Sequence, residues 1–206
     1  NELVKIFERA NKRFLKENTA FILSNVAERS LCSTLAQCLY LEIRHSKYSR
    51  YYVDVEYNRN NGRVKTIYND DLKVVTIICD LIVHSRGEIV EKDNLIALEM
   101  KKSYRPMKEK ENDKARLVAL TKDSYDGVWS FDGKTLPEHV CGYDLGIYYE
   151  IDSKNCLVYI EYYVKGKKVR TYEEKILRWK TIKFEKQNEM SNDRKAKRAT
   201  PKQNES

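Results

Sequence analysis

The sequence predicts a single α/β domain, a mixed sheet flanked by helices, followed by a disordered basic C-terminal tail. Three observations lead to this prediction. Apolar residues recur with helical spacing near the N-terminus, and several central segments alternate or run apolar as strands do. The segments follow the order α, α, β, β, β, β, α, β, β, α, which favours helices packed on a sheet. The length of 206 residues allows one well-buried core.

Two helices are expected at the N-terminal end. Residues 1–17 carry apolar side chains three and four positions apart and leave their charges on the other face. Ser24 is expected to cap a second helix over 25–45. Glu28 lies in the first turn of that helix, where the helix dipole favours an acid, and its spacing also turns it towards the inner side.

Four strands are expected next. The segment "YYVDVEY" (51–57) alternates, and after an Asn-Gly turn signal "VKTIY" (64–68) returns as its hairpin partner. The segment 74–84 is predicted as one long buried strand, because it is almost continuously apolar. The segment 95–102, "LIALEMKK", is predicted as a second buried strand.

The remaining segments complete the domain. We expect a helix over 113–121, tyrosine-rich strands over 141–151 and 156–164, and a last helix over 172–179. Residues 1–180 are therefore assigned to the domain. Residues 181–206 are polar and lysine-rich without periodicity, and they are predicted to be a disordered tail.

The charge and cysteine content indicate the class of partner and the compartment. The net charge is +8, and half of it falls in the last 27 residues, which hold eight Lys or Arg against four acids. A basic chain favours polyanions such as nucleic acid. No apolar run approaches the roughly 18 residues that span a bilayer, so no membrane partner is expected. Five scattered cysteines without a CxxC pair indicate a reducing compartment, and we expect a cytoplasmic protein. The oligomeric state is left open.

Two acids and a lysine occur inside the most apolar segments. In a strand, Glu99 and Lys101 project to the same face, while Lys102 projects to the other. If the two buried strands are neighbours, Asp80 meets Glu99 and Lys101 at one point. Buried carboxylates need a partner, a proton or a metal. A point rich in carboxylate oxygens with one amine nearby suits Mg²⁺.

The segments "CDLIVHSRG" and "NLIALEMKK", preceded by a helix that bears Glu28 and a strand pair, resemble the PD-(D/E)XK nuclease superfamily over about residues 24–150. Asp80 matches the first acid of the motif, Glu99 the second and Lys101 the lysine, while Cys79 stands where the motif has proline. Glu28 matches the acid that the first core helix often adds. The resemblance implies a restriction-endonuclease-like fold and a metal-dependent nuclease that hydrolyses nucleic-acid phosphodiester bonds. DNA is expected as the substrate before RNA, and the choice between them stays open. It also implies Mg²⁺ or Mn²⁺ held by Asp80, Glu99 and Glu28.

Two other interpretations stay open. In the first, the chain is a nuclease-like fold that binds nucleic acid or protein without catalysis. In the second, it is a structural α/β protein in which the motif occurs by chance. Ordinary structural roles are also expected for the polar residues around the motif. Lys102 is expected to be solvated, and His84, Arg86 and Lys65 to lie on the surface. Asp54 and Glu56 share a strand face that is either exposed or close to the site. The strand tyrosines are expected to pack rather than to stack on bases.

Overall fold

The computed structural model describes residues 1–56, 59–60, 63–64, 66–68, 74–76, 79–122 and 141–177. The helices are α1 (Glu2–Glu17), α2 (Thr19–Leu23), α3 (Glu28–Arg44) and α4 (Met107–Leu120). The strands are β1 (Tyr52–Val55), β2 (Arg59–Asn60), β3 (Arg63–Val64), β4 (Thr66–Tyr68), β5 (Val74–Thr76), β6 (Leu81–His84), β7 (Asn94–Lys102), β8 (Leu145–Asp152), β9 (Leu157–Val164) and β10 (Lys167–Lys175). A short 3-10 helix, Val90–Lys92, precedes β7.

Six of the strands form one mixed sheet in the order β1-β6-β7-β8-β9-β10. Strands β7 and β8 are parallel, and every other neighbouring pair is antiparallel. Parallel neighbours need a crossover, and the connection from β7 to β8 contains α4. The predicted architecture of a mixed sheet flanked by helices is therefore confirmed.

Helices cover both faces of the sheet. Helices α1 and α3 pack on one face, and their buried apolar side chains include Leu3, Phe7, Phe14, Leu31, Leu35, Leu39 and Ile43. Helix α4 packs on the other face, where its Leu117 and Leu120 meet Ile82 and Ala97. Strand β7 is buried on both sides, which explains its nearly continuous apolar sequence.

The tyrosines of β8 and β9 pack inside the domain. The rings of Tyr149 and Tyr162 each meet the Phe7 ring edge-on, with centroids 6.1 Å apart. The Tyr149 hydroxyl donates a hydrogen bond to Asn11 Oδ1 at 2.6 Å, which satisfies both buried polar groups. The interpretation of these tyrosines as packing residues is confirmed.

Helices α1 and α3 confirm the two predicted N-terminal helices, but the predicted cap is wrong. Ser24 ends α2, a short helix that was not predicted, and its hydroxyl donates to the carbonyl oxygen of Phe21 at 2.8 Å. The N-cap residue of α3 is Ala27. A serine can stabilise either end of a helix through local hydrogen bonds, so its position alone does not give the direction of the cap.

Two strand predictions between residues 51 and 84 are wrong. Strand β1 pairs with β6. In the segment predicted as its hairpin partner, Val64 belongs to β3, which pairs with β2, and residues 66–68 form β4, which pairs with β5. The long strand expected over 74–84 is divided into β5 and β6, which belong to different sheets. The chain changes sheets between them, because β6 is held by β1 and β7 while β5 is held by β4.

The helix predicted over 172–179 is also wrong, because the described part of that segment is strand. Strand β10 pairs with β9 after a tight turn at Lys165 and Gly166, which have φ of 53° and 70°. Tyr172 of β10 and Ile176, which follows the strand, face the α1 side of the sheet, and Ile176 is 3% exposed. The sequence favours a helix locally, but the hydrogen bonds to β9 and the packing of these two side chains outweigh that propensity.

The other predictions agree with the structure where residues are described. Helix α4 covers the predicted helix but begins earlier, at Met107, and β7, β8 and β9 match their predicted segments. Residues 178–206, and with them the predicted tail, lie outside the described residues. Within the described part of the chain, no helix is both long and apolar enough to cross a membrane.

Candidate acidic site at the junction of β6, β7 and α4

The antiparallel pairing of β6 with β7 brings Asp80 to Glu99. Leu81 lies opposite Leu98 in the register, so the residue before Leu81 lies beside Glu99. Asp80 Oδ2 accepts a hydrogen bond from the backbone N–H of Met100 at 2.7 Å. The prediction that the two segments are neighbours is confirmed. The prediction that Asp80 lies within a strand is wrong, because it lies in a bend just before β6.

Glu99 is deeply buried at this junction, with a side chain that is 1% exposed. Its Oε1 accepts a hydrogen bond from Arg116 Nε of α4 at 2.9 Å. Burial, and next the charge of Asp80, raise the pKa of Glu99 to about 8, although Arg116 opposes the shift. Burial also raises the pKa of Asp80, against the N–H of Met100. The fold therefore holds two carboxyl groups together under conditions that disfavour their joint ionisation.

Lys101 projects from β7 towards α4, on the same face as Glu99. Its Nζ lies 2.8 Å from Asp113 Oδ2. Burial lowers the pKa of Lys101, but the hydrogen bond and charge of Asp113 outweigh it, so the pKa is raised overall. The side chain of Lys101 is therefore held as an ammonium ion beside the two carboxyl groups.

Asp113 and Arg116 complete the group, and neither was predicted as a site residue. They lie one turn apart on α4 and form an ion pair with each other. Asp113 is 3% exposed, and its Oδ2 forms the ion pair with Lys101 Nζ. The sequence signal that could have identified Asp113 is its spacing. It precedes the buried Leu117 and Leu120 by one and two turns, which places it on the buried face of α4.

Glu28 lies at the start of α3, beside the end of β7. Its Oε1 accepts hydrogen bonds from the backbone N–H of Lys102 at 3.1 Å and from Arg105 Nε at 3.0 Å. Its charge also contributes to the raised pKa of Lys101, less than the charges of Asp113 and Asp80 do. These contacts join α3 to the end of β7, and they give Glu28 a structural role next to the group.

Several neighbouring polar residues differ from the expectations. Lys102 does face away from Lys101, as predicted, but it is 3% exposed and donates to Asn25 Oδ1 at 3.0 Å. The prediction that it is solvated is wrong, because α3 covers this end of β7. His84 is also buried, with Nε2 located 2.9 Å from Asp54 Oδ2, so its assignment to the surface is wrong.

Asp54 binds side chains outside the group formed by Asp80, Glu99, Lys101, Asp113 and Arg116. Its two oxygens accept hydrogen bonds from the partly exposed Arg86 at 2.6 and 2.8 Å. The nearby Glu56 forms an ion pair with Arg29 of α3 at 3.1 Å. Both acids therefore have partners of their own beside β1. Lys65 lies outside the described residues.

Ion pairs hold α4 to the sheet. Besides Asp113 and Arg116, Lys110 binds Glu150 of β8 at 2.8 Å, and Lys114 binds Glu161 of β9 at 2.9 Å. Burial raises the pKa of Glu161, but hydrogen bonds from Tyr163, Lys114 and Tyr159 outweigh it and lower the pKa overall. A second buried carboxylate on this face is thus stabilised as an anion, in contrast to Glu99.

In the described part of the chain, no group of three or more His, Cys, Asp or Glu residues has the arrangement of a metal site. Asp80 and Glu99 nevertheless suit a divalent cation chemically, because they are hard oxygen donors whose ionisation a nearby cation would favour. No protein-family model, curated protein or solved structure matches the chain.

Proposed function

We propose that the chain is a metal-dependent nuclease of the PD-(D/E)XK type that hydrolyses phosphodiester bonds of nucleic acid, with DNA as the expected substrate. The observation that carries the proposal is the meeting of Asp80 and Glu99 where β6 and β7 pair, with Lys101 beside them. The order of the elements adds support. The helix that bears Glu28 precedes Asp80 at the start of β6 and Glu99 in β7, as the resemblance requires.

The state of the two carboxyl groups supports the presence of a cation. Their raised pKa values show that the fold alone does not favour two negative charges there. A divalent cation reverses this preference, because it attracts both charges at once. Asp80 and Glu99 would hold the ion. Glu28, which the resemblance also implies as a ligand, would need to exchange its contact with Arg105.

Lys101 would stabilise charge at the reacting phosphate. A bound Mg²⁺ or Mn²⁺ supplies a Lewis acid and an activated water when it is present. Lys101 cannot accept a proton readily, because Asp113 holds it as an ammonium ion. It is therefore suited to attract the negative charge that develops on the phosphate oxygens, rather than to act as a general base. Asp113 would keep the ammonium group in position.

The net charge supports a polyanionic substrate. The chain carries a charge of +8, which attracts the phosphates of nucleic acid and makes binding depend on salt. The restriction-endonuclease-like fold, the expectation of DNA and a reducing cytoplasmic location remain part of the proposal. They rest on the motif, the charge and the scattered cysteines.

A non-catalytic binding module is the second candidate, and one observation favours it. Arg116 and Lys101 pair with Glu99 and Asp113, so both of these acids already have a cationic partner without a metal ion. A module that only binds nucleic acid or protein would use the same fold with this buried network as structural support.

A cleavage assay separates the candidates. Labelled double-stranded and single-stranded DNA, and RNA of the same sequence, are incubated with the full chain in Mg²⁺, Mn²⁺ or EDTA. The nuclease proposal predicts cleavage with either metal, none in EDTA, and none with Asp80→Asn. Binding without cleavage under all conditions would support the second candidate. Cleavage that persists in EDTA or in Asp80→Asn would indicate a contaminating or different activity.

A further inference from the structure

Arg116 is placed as a counter-ion inside the candidate site. Its Nε donates to Glu99 Oε1 at 2.9 Å, and its Nη2 donates to Asp113 Oδ1. The side chains of Glu99 and Asp113 are only 1% and 4% exposed. One planar guanidinium therefore bridges two buried carboxylates, a geometry that arginine favours.

The same carboxylate is required by the proposed function. Glu99 is assigned there to a divalent cation, and a carboxylate fully engaged by a guanidinium is a poor metal ligand. We propose that Arg116 is the internal cation of the metal-free site, and that a divalent ion binds by displacing its guanidinium from Glu99. This inference rests on the proposed function, because it concerns the same carboxylate.

The structure allows Arg116 to move and fixes its two partners. The Arg116 side chain is 28% exposed and has a long flexible stem, whereas Glu99 is buried in the centre of the sheet. The pair with Asp113 uses Nη2, a different nitrogen from the Nε that contacts Glu99. A displaced guanidinium therefore stays next to the site through Asp113, where it can meet a phosphate group as a bidentate donor.

Charge determines the direction of the expected effect. Removing one positive charge from the site strengthens the attraction for a divalent cation about twice as much as the attraction for a proton. The affinity of the carboxylates for a divalent metal ion therefore rises more than their affinity for a proton. Loss of the Arg116 charge should tighten metal binding, although it removes a hydrogen bond from the site.

The test measures Mn²⁺ binding to the full chain, with free Mn²⁺ followed by electron paramagnetic resonance. Arg116→Gln removes the charge and keeps a hydrogen-bonding group, and Arg116→Lys keeps the charge. Arg9→Gln is the matched control, because Arg9 pairs with Glu42 at 2.7 Å between the helices α1 and α3. We expect Kd to fall at least about tenfold in Arg116→Gln, and to stay within about threefold in the other two.

The outcomes separate this inference from the proposed function. Wild-type binding that is equal or weaker in Arg116→Gln overturns the inference and leaves the metal site standing, as does equal tightening in Arg116→Lys or Arg9→Gln. Failure of wild type and both Arg116 variants to bind overturns the metal site and the inference together. Binding by Arg116→Gln alone overturns both the displacement and the nuclease proposal, since the native guanidinium then keeps the ion out of the site.

A measurement on the unmodified chain keeps the inference testable if Arg116→Gln does not fold. The nitrogen-15 signal of the Arg116 Nε–H, assigned with Arg116→Lys, is followed while Mg²⁺ is added. Displacement predicts that this N–H loses its protection from solvent exchange as Mg²⁺ saturates the site. Retained protection at saturation overturns the inference, and the Arg9 signal, which should not change, is the internal control.

Discussion

Lys101 and Asp113 form an ion pair that joins β7 to α4, with Nζ and Oδ2 separated by 2.8 Å. Their side chains are 14% and 4% exposed, so the pair is shielded from solvent more than a surface pair is. Lys101 is thus held by Asp113, a residue of α4, and α4 is not part of the sequence motif. Its position and charge follow from this contact.

Lys101→Met should reduce the cleavage rate without a similar loss of binding. The variant removes an ammonium group that would act on developing charge, and such losses amount to roughly 100- to 1000-fold in rate. The measurement is single-turnover cleavage together with DNA affinity. Lys102→Met is the matched control, because the adjacent lysine faces α3 and binds Asn25. That control should lose stability and keep its rate per folded molecule. Weakened binding with unchanged turnover would make Lys101 a phosphate contact only.

Asp80→Asn and Glu99→Gln should each lower cleavage at least about 100-fold and weaken Mn²⁺ binding. In metal-free buffer at neutral pH their free energy of unfolding should be equal to or above that of wild type, because folding no longer has to bury or protonate a carboxyl group whose pKa the fold raises. Glu161→Gln is the control, a buried acid on the same face with a lowered pKa. It should keep Mn²⁺ binding and lose roughly 1–3 kcal/mol of stability. Wild-type cleavage by both site variants would refute the assignment.

The stability of the metal-free chain should depend on pH through Glu99. Its pKa is about 8 in the fold and near 4.5 when the chain is unfolded, so the folded state binds this proton more tightly. The stabilisation by this proton is complete below the unfolded value and is lost as pH rises through about 8. Urea unfolding in EDTA should show wild type losing stability relative to Glu99→Gln across this range. A constant difference between the two chains would contradict the raised pKa.

Glu28→Gln should have a milder effect than the substitutions of Asp80 and Glu99. The amide can still accept a hydrogen bond from the Lys102 backbone, but the ion pair with Arg105 is lost. We expect a stability loss of about 0.5–1.5 kcal/mol and a rate loss of less than about tenfold. Arg105→Met should also lose stability, because it breaks the same ion pair. A rate loss as large as that of Asp80→Asn would identify Glu28 as a metal ligand, as the resemblance implies.

The parts of the fold that the sequence predicted are those with strong local signals. Helices α1 and α3 and strands β7, β8 and β9 were predicted from periodicity or continuous apolar runs, because burial imposes those patterns directly. The meeting of Asp80 with Glu99 followed from placing two apolar segments side by side.

The parts that the sequence did not predict depend on contacts between distant segments. Strand β10 is held by its pairing with β9, and nothing in residues 172–177 alone excludes a helix. Asp113 and Arg116 lie in a helix so rich in charge that a buried ion pair resembles a solvated one in sequence. Their roles follow from the packing of α4 over Glu99 and Lys101, which requires the folded sheet.

The most direct test of the central claim is to locate the metal. Crystals of the full chain are soaked in MnCl₂, and anomalous scattering at the manganese edge is measured. The account predicts one strong peak bound by carboxylate oxygens of Asp80 and Glu99, at about 2.0–2.3 Å, with the Arg116 guanidinium moved away from Glu99. No peak at these carboxylates, with Arg116 still bound to Glu99 at saturating manganese, would contradict the metal site and the nuclease mechanism built on it.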